Sequence, residues 1–254
     1  GLPGLQLVGL PDTAIQESRE RVRAALRNSG FRGPLVRVVV NLAPADLRKE
    51  GPSFDLPIAL ALLVASGQLD APVLNGLWCA GELGLDGSIR SCRGILAIAC
   101  QAADHRARAF VVSADDAAEA SLVDGLAVHS AHTLRELVAD LSSGRRPTGR
   151  CTVARQPAAN RRFDRASPAL HLPGQHLARQ GLALAAAGGH HLLLVGPPGC
   201  GKTHLAHQLP ALLPPLEQPE ALEITRLHSL AGLTRGNGQP VSYTHLRAHE
   251  TTSD

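Results

Sequence analysis

Late in the chain, eight consecutive residues have the types and spacing to hold a polyphosphate: Gly196, Pro197, Pro198, Gly199, Cys200, Gly201, Lys202 and Thr203, reading GPPGCGKT. They satisfy the pattern G-x-x-x-x-G-K-[ST] of a phosphate-binding loop. Gly196, Gly199 and Gly201 admit backbone angles that a Cβ would block, so successive N–H groups can converge on phosphate oxygens. Lys202 adds an ammonium for the β and γ phosphates, and the Thr203 hydroxyl is a ligand for Mg²⁺. Pro197 and Pro198 stiffen the approach to the loop, and Cys200 is a small filler that contributes its backbone N–H. The chain has 25 basic residues, of which only Lys49 and Lys202 are lysines, so a lysine at this position is informative. The expected ligands are ATP and Mg²⁺.

Holding a nucleotide is not hydrolysing it. Phosphoryl transfer also needs an acidic strand end for the metal and the water, and an arginine from a neighbour or lid. After Thr203 no run of four apolar residues ends in Asp or Glu. No catalytic residue is therefore assigned, and the sequence as written is expected to bind ATP without turning it over. Cys200, His204 and His207 have ligand-like spacing, but the two histidines share the helix that must present Lys202 and Thr203, which argues against a metal there. His190 and His191 flank a strand and need no metal.

The loop has to be positioned by a strand before it and a helix after it. HHLLLVG (residues 190–196) reads as a short buried strand, and a helix is expected over about Lys202–Leu209. A further helix, QHLARQGLALAAAGG, ends at Gly188 and Gly189. This second domain begins near Ala169. Ahead of it, residues 144–168 lose periodicity and carry a charge of +6, which leaves −3 on the rest of a chain whose net charge is +3. That stretch reads as a basic flexible linker, with a basic arm on nucleic-acid phosphate as its functional alternative. Only 2% of residues are aromatic, which argues against a base-stacking surface.

Residues 1–143 alternate helices and strands. Helices are expected over Pro11–Asn28, Phe54–Ser66 (buried on most sides), Ile95–Ala103 and Thr133–Leu141. Strands are expected at Leu35–Leu42 (buried) and Ala109–Ser113. LWCAGEL and GSIRSC are expected to form a hairpin around Asp86 and Gly87. The fold class is α/β, mixed α+β.

The 254 residues are 44% apolar, enough for one large or two small packed domains. No run approaches the ~20 apolar residues of a membrane span, and no amino-terminal signal pattern is present. Five cysteines without paired spacing suit reduced thiols, so cytoplasm is the expected location and no membrane partner is expected.

Three blocks of the first half, GLPGLQLVGLPDTAIQESRERVRAALRNSGF, RVVVNLAPADLRKEGPSFDLPIALALL and CAGELGLDGSIRSCRGILA, resemble the ComM/YifB family of magnesium-chelatase-like AAA+ ATPases. GQHLARQGLALAAAGGHHLLLVGPPGCGKTHL in the second half resembles the start of that family's AAA+ module. The resemblance covers residues 1 to about 235. It implies a Lon-peptidase-like βαβ domain over 1–143, the linker, and a partial AAA+ P-loop domain over 169–240. It further implies a homo-oligomeric ring, a hexamer in the full-length protein, that couples ATP hydrolysis to DNA remodelling or branch migration in transformation. The rivals are metal insertion into porphyrin and a nucleotide-switched scaffold. The resemblance also makes Gln175 a candidate adenine contact; read on its own, Gln175 is equally a helix-start surface residue. Residues 241–254, VSYTHLRAHETTSD, depart from the family and read as a non-native tail, so the chain reads as the front of a longer ATPase. Ser53 falls where Lon-type peptidases carry their serine, but Leu96 stands at the matching lysine and Lys49 is not equivalent. Ser53 is then expected to cap the helix that follows.

Overall fold

The computed structural model describes residues 4–33, 36–44, 46–47, 49–143, 149–150, 175–213 and 216–234. The chain forms two compact units, one of Gly1–Ala154 with Thr225–Gln239 and one of Arg155–Ile224 with Pro240–Asp254. Elements are mixed α and β, as the sequence implied, with parallel strand pairs dominating the first unit. Among the described residues no helix is long and apolar enough to cross a membrane.

In the first unit, β1 (Gly4–Val8) and β2 (Arg37–Asn41) pair in parallel, with Leu5 opposite Val38. Between them runs α1 (Thr13–Asn28), started by Asp12, whose Oδ1 accepts from the Ile15 N–H at 2.8 Å. This satisfies one of the donors left over in a first helical turn. The same carboxylate accepts from the Gly51 N–H at 3.0 Å, which fixes the approach to the next helix. Ile15, Val22, Ala25 and Leu26 fall on one buried face of α1. They belong to the side packed against α2 (Asp55–Ala65), whose Leu56, Ile58, Ala59, Leu60, Leu62 and Leu63 are all buried.

Asp55 opens α2 fully buried, and its carboxylate is completely engaged. It accepts from the Ser18 hydroxyl, from Arg21 Nε at 2.7 Å and Nη2 at 3.2 Å, and from the Leu83 N–H at 3.2 Å. The hydrogen bond to Asp55 is the main reason the Arg21 guanidinium is held above its usual pKa. One ion pair, its carboxylate buried, thus ties α1, α2 and the following hairpin together. Ser53 does not cap α2: it lies inside a 3₁₀ turn, Pro52–Phe54, and no side chain caps that helix start. Its carbonyl instead accepts from the Gly81 N–H at 3.2 Å.

The hairpin forms around Asp86 and Gly87 as its residues predict, with β4 (Glu82–Leu83) antiparallel to β5 (Ile89–Arg90). Gly87 takes a φ of 87°, which favours glycine there. The first part of LWCAGEL is not in it. β3 (Leu77–Cys79) leaves to pair in parallel with β6 (Ala109–Ser113), after α3 (Ile95–Asp104). Beyond β6 come the short α4 (Ala117–Ala120), β7 (Val128–Ala131) parallel to β6, and α5 (Leu134–Ser142), capped by Thr133. Within the stretch read as a linker, β8 (Gly149–Arg150) pairs antiparallel with β7. The rest of that stretch lies outside the described residues, as does the tail over 241–254.

β2 is a correction: it alternates between half-buried and exposed, and Val39 is 55% exposed. Among the described residues it pairs with β1 alone, so it has an open side instead of the two covered faces its apolar run suggested.

In the second unit, α6 (His176–Gly188) ends where expected, with Gly189 at φ 62° as its left-handed cap. The segment at 190–196 is not a buried strand. Leu193 is 84% and Val195 87% exposed, and no strand is formed there. A strand needs a hydrogen-bonded neighbour, and the described part of this unit holds none. The helix after the loop is also shorter than expected: α7 covers Lys202–Ala206, and α8 covers Leu209–Leu212. Last, α9 spans Gln218–Leu230. Its later residues belong to the first unit, where the Ser229 carbonyl accepts from the Gly94 N–H at 3.1 Å and its hydroxyl from the Leu96 N–H at 3.4 Å. Glu119 Oε1 shares that Leu96 N–H at 3.3 Å, so the start of α3 is capped from outside its own sequence.

Candidate phosphate-binding site

The loop of residues 196–201 closes on itself. Gly199 and Gly201 adopt φ of 78° and 84°, the left-handed region that favours glycine. A Cβ added at Gly199 would meet nothing within 4 Å, so that face is open. At Gly196 an added Cβ would come within 3.1 Å of Cys200 Sγ, and at Gly201 within 3.3 Å of Gln175 Nε2. The loop can be this tight because neither position carries a side chain.

Lys202 lies across the loop. Its Nζ donates to the carbonyls of Gly196 and Pro197, both at 2.9 Å, and faces Cys200 Sγ at 3.7 Å. Sulfur is a weak acceptor, so the third N–H is the one a stronger anion would claim first. Among the described residues the ammonium is drawn into no ion pair. Thr203 is exposed on the first turn of α7, and its carbonyl accepts from the His207 N–H at 3.0 Å. Gln175 reaches the same place from the start of α6, donating from Nε2 to the Cys200 carbonyl. Its side chain makes no cap bond to α6. All nine residues singled out in the sequence, Gln175 and 196–203, thus belong to one neighbourhood. The arrangement presents backbone donors, one primary ammonium and one hydroxyl, which suits a multiply charged anion.

The other sequence candidates do not assemble. Leu96 is fully buried in α3, and Lys49 gives its amine to the carbonyls of Pro44 and, at 2.7 Å, Leu47. An amine so committed is not poised as a general base for Ser53. His204 and His207 are exposed, and among the described residues no group of three or more His, Cys, Asp or Glu is placed to hold a metal ion. A cavity of about 330 Å³ does occur in the first unit, lined by Ser91, Cys92, Arg93, Asp116 and Glu119 among others. Its acids are engaged: Asp116 accepts from Ser91 Oγ at 2.5 Å and the Cys92 N–H at 3.1 Å. Burial raises Asp116 against the effect of those bonds.

Two residues that organise the first unit, Asp12 and Asp55, escaped sequence reasoning. Asp12 had a signal, since Pro11 and Asp12 stand just before an apolar-periodic run. Asp55 had none: its partners are far off in sequence.

Comparison with known proteins gives two family matches. Residues 1–116 match the family described as subunit ChlI of Mg-chelatase, and residues 170–254 the family described as magnesium chelatase, subunit ChlI. An uncharacterized protein of Mycobacterium tuberculosis (strain H37Rv) is 45% identical over 237 residues, 93% of this chain and 46% of that protein. The uncharacterized protein YifB of Escherichia coli (strain K12) is 43% identical over 235 residues, 91% of this chain and 44% of its own length. Competence protein ComM of Haemophilus influenzae is 41% identical over 230 residues, 91% of this chain and 45% of its own. The chain therefore spans a little under half the length of these relatives.

Proposed function

Since this chain belongs to the magnesium-chelatase-like family of YifB and ComM, we propose that its second unit holds Mg²⁺-ATP for a ring-forming AAA+ motor. On this reading the Lon-like domain occupies 1–143, the linker 144–168 and the front of the P-loop domain 169–240. The backbone N–H groups of Gly199 and Gly201 would take phosphate oxygens, joined by that of Cys200 in place of its long bond, 3.5 Å, to the Pro197 carbonyl. Lys202 gives up its sulfur contact to reach the β and γ phosphates, while its carbonyl bonds keep it beside the loop. Thr203 supplies one oxygen to Mg²⁺, which when bound draws charge from the phosphoryl group. The observation that carries this reading is the Lys202 ammonium, held at 2.9 Å on the Gly196 and Pro197 carbonyls of the loop it must serve.

Lys202→Ala is expected to lower ATP affinity of the 254-residue chain at least about a hundredfold, losing one charge-assisted contact and its loop anchor. Isothermal titration with Mg²⁺-ATP measures this, and unchanged affinity removes the assignment.

The full-length protein is then a cytoplasmic hexameric ATPase that remodels DNA. That ComM of Haemophilus influenzae is named a competence protein supports a role in DNA handling. Both family descriptions refer to magnesium chelatase subunits, which keeps metal insertion into a porphyrin as the second reading. ATPase activity of the full-length protein separates them. Stimulation by branched or single-stranded DNA supports the first; stimulation by a porphyrin with Mg²⁺, and none by DNA, supports the second. A protein responding to neither is a nucleotide-switched scaffold.

A further inference from the structure

The phosphate loop has a support that its motif does not contain. Gln175 stands 25 residues before Cys200 and donates its side-chain amide to the Cys200 carbonyl. That amide is not spent at the helix start, because the Gln175 side chain makes no cap bond to α6. Its approach is close enough that a Cβ on Gly201 would crowd it at 3.3 Å.

The consequence follows from the geometry of one peptide plane. The Cys200–Gly201 bond is trans, the one cis bond among the described residues being Ala43–Pro44. In a trans peptide the carbonyl oxygen and the N–H of the next residue point in opposite directions. Fixing the Cys200 oxygen toward Gln175 therefore fixes the Gly201 N–H away from Gln175. A flip of that plane would replace a donor by an oxygen, which repels phosphate. Glycine at 201 makes such a flip inexpensive, since glycine visits both signs of φ readily. The loop thus has a peptide whose orientation matters, beside a residue that does little to hold it, and Gln175 supplies the restraint.

We propose that Gln175 is a positioning residue of the phosphate loop. By holding the Cys200 carbonyl it keeps the Gly201 N–H turned toward a bound polyphosphate, whatever base the nucleotide carries. This rests on the nucleotide-binding reading of the same loop. It differs from the adenine contact that family resemblance implies for Gln175, because the restraint acts on the phosphate end and is indifferent to the base.

The test titrates the 254-residue chain with ATP, GTP and inorganic tripolyphosphate, each with Mg²⁺. Gln175→Met keeps the side-chain length and removes the donor; Gln175→Ala removes both. Both variants are expected to weaken all three ligands by a common factor of about five to ten, the effect of one hydrogen bond. A second readout needs no ligand. Amide exchange at Gly201 is expected to quicken in Gln175→Met while the amides of α6 keep their rates. A loss confined to ATP overturns the proposal and makes Gln175 a base contact. Unchanged affinities overturn it as well, and so does exchange that quickens throughout α6 and α7, which marks a general packing role. If the unaltered chain binds none of the three ligands, the nucleotide reading falls and the proposal with it. If Lys202→Ala loses binding and Gln175→Met does not, the proposal alone falls.

Discussion

At the scale of single residues, the ion pair of half-buried Arg21 with buried Asp55 and two thiols of raised pKa make the sharpest predictions. Arg21→Leu leaves a buried carboxylate without its charged partner, and about 3–5 kcal/mol of stability is expected to go, measured by urea unfolding. Replacing both partners with apolar residues is expected to cost less, since no unpaired charge remains. Burial pushes the thiols of Cys79 and Cys92 up to about 12 from an ordinary 9.0. Between those values the folded chain keeps protons that the unfolded chain releases, so stability is expected to fall as pH rises through that window. At pH 8 both thiols are protonated in the native chain, and iodoacetamide should label Cys79, which lines no open cavity, more slowly than it does in urea. Equal labelling rates of Cys79 in the two states would contradict its shielding.

At the scale of elements, what was legible in the sequence depended on where each element's partners lie. α1, α2, α3, α5, α6 and β6 were readable because apolar spacing and local punctuation decide them. The phosphate loop was readable for the same reason: glycines, lysine and threonine act through local backbone shape. α9 was not, and its burial shows why. Its inward stripe is Ala221, Thr225 and Ser229, while Leu227 and Leu230 face out. Small and hydroxylated residues leave no apolar period to detect. The segment at 190–196 failed in the opposite way, its apolar run promising a burial that no neighbouring strand provides. Gln175 was visible as a residue, but its partner 25 positions away was not. Among these elements α1 gives a direct check. Asp12→Ala removes the bonds to the Ile15 and Gly51 N–H groups, and about 1–2 kcal/mol of stability should be lost. A change below a few tenths in urea unfolding would show that the cap is dispensable.

At the scale of the whole molecule, the first unit is closed by two separate stretches, Gly1–Ala154 and Thr225–Gln239. Ser229, from the second stretch, satisfies two N–H groups at the start of α3. During synthesis the ribosome must therefore deliver about seventy further residues after the first stretch before the Gly94 N–H finds its acceptor, whereas the Leu96 N–H already has Glu119. At translation speeds of about 5–20 residues per second the wait is several seconds, long beside the folding time of most small domains. A nascent first unit halted before residue 225 is expected to exchange its Gly94 amide faster than one released after residue 239.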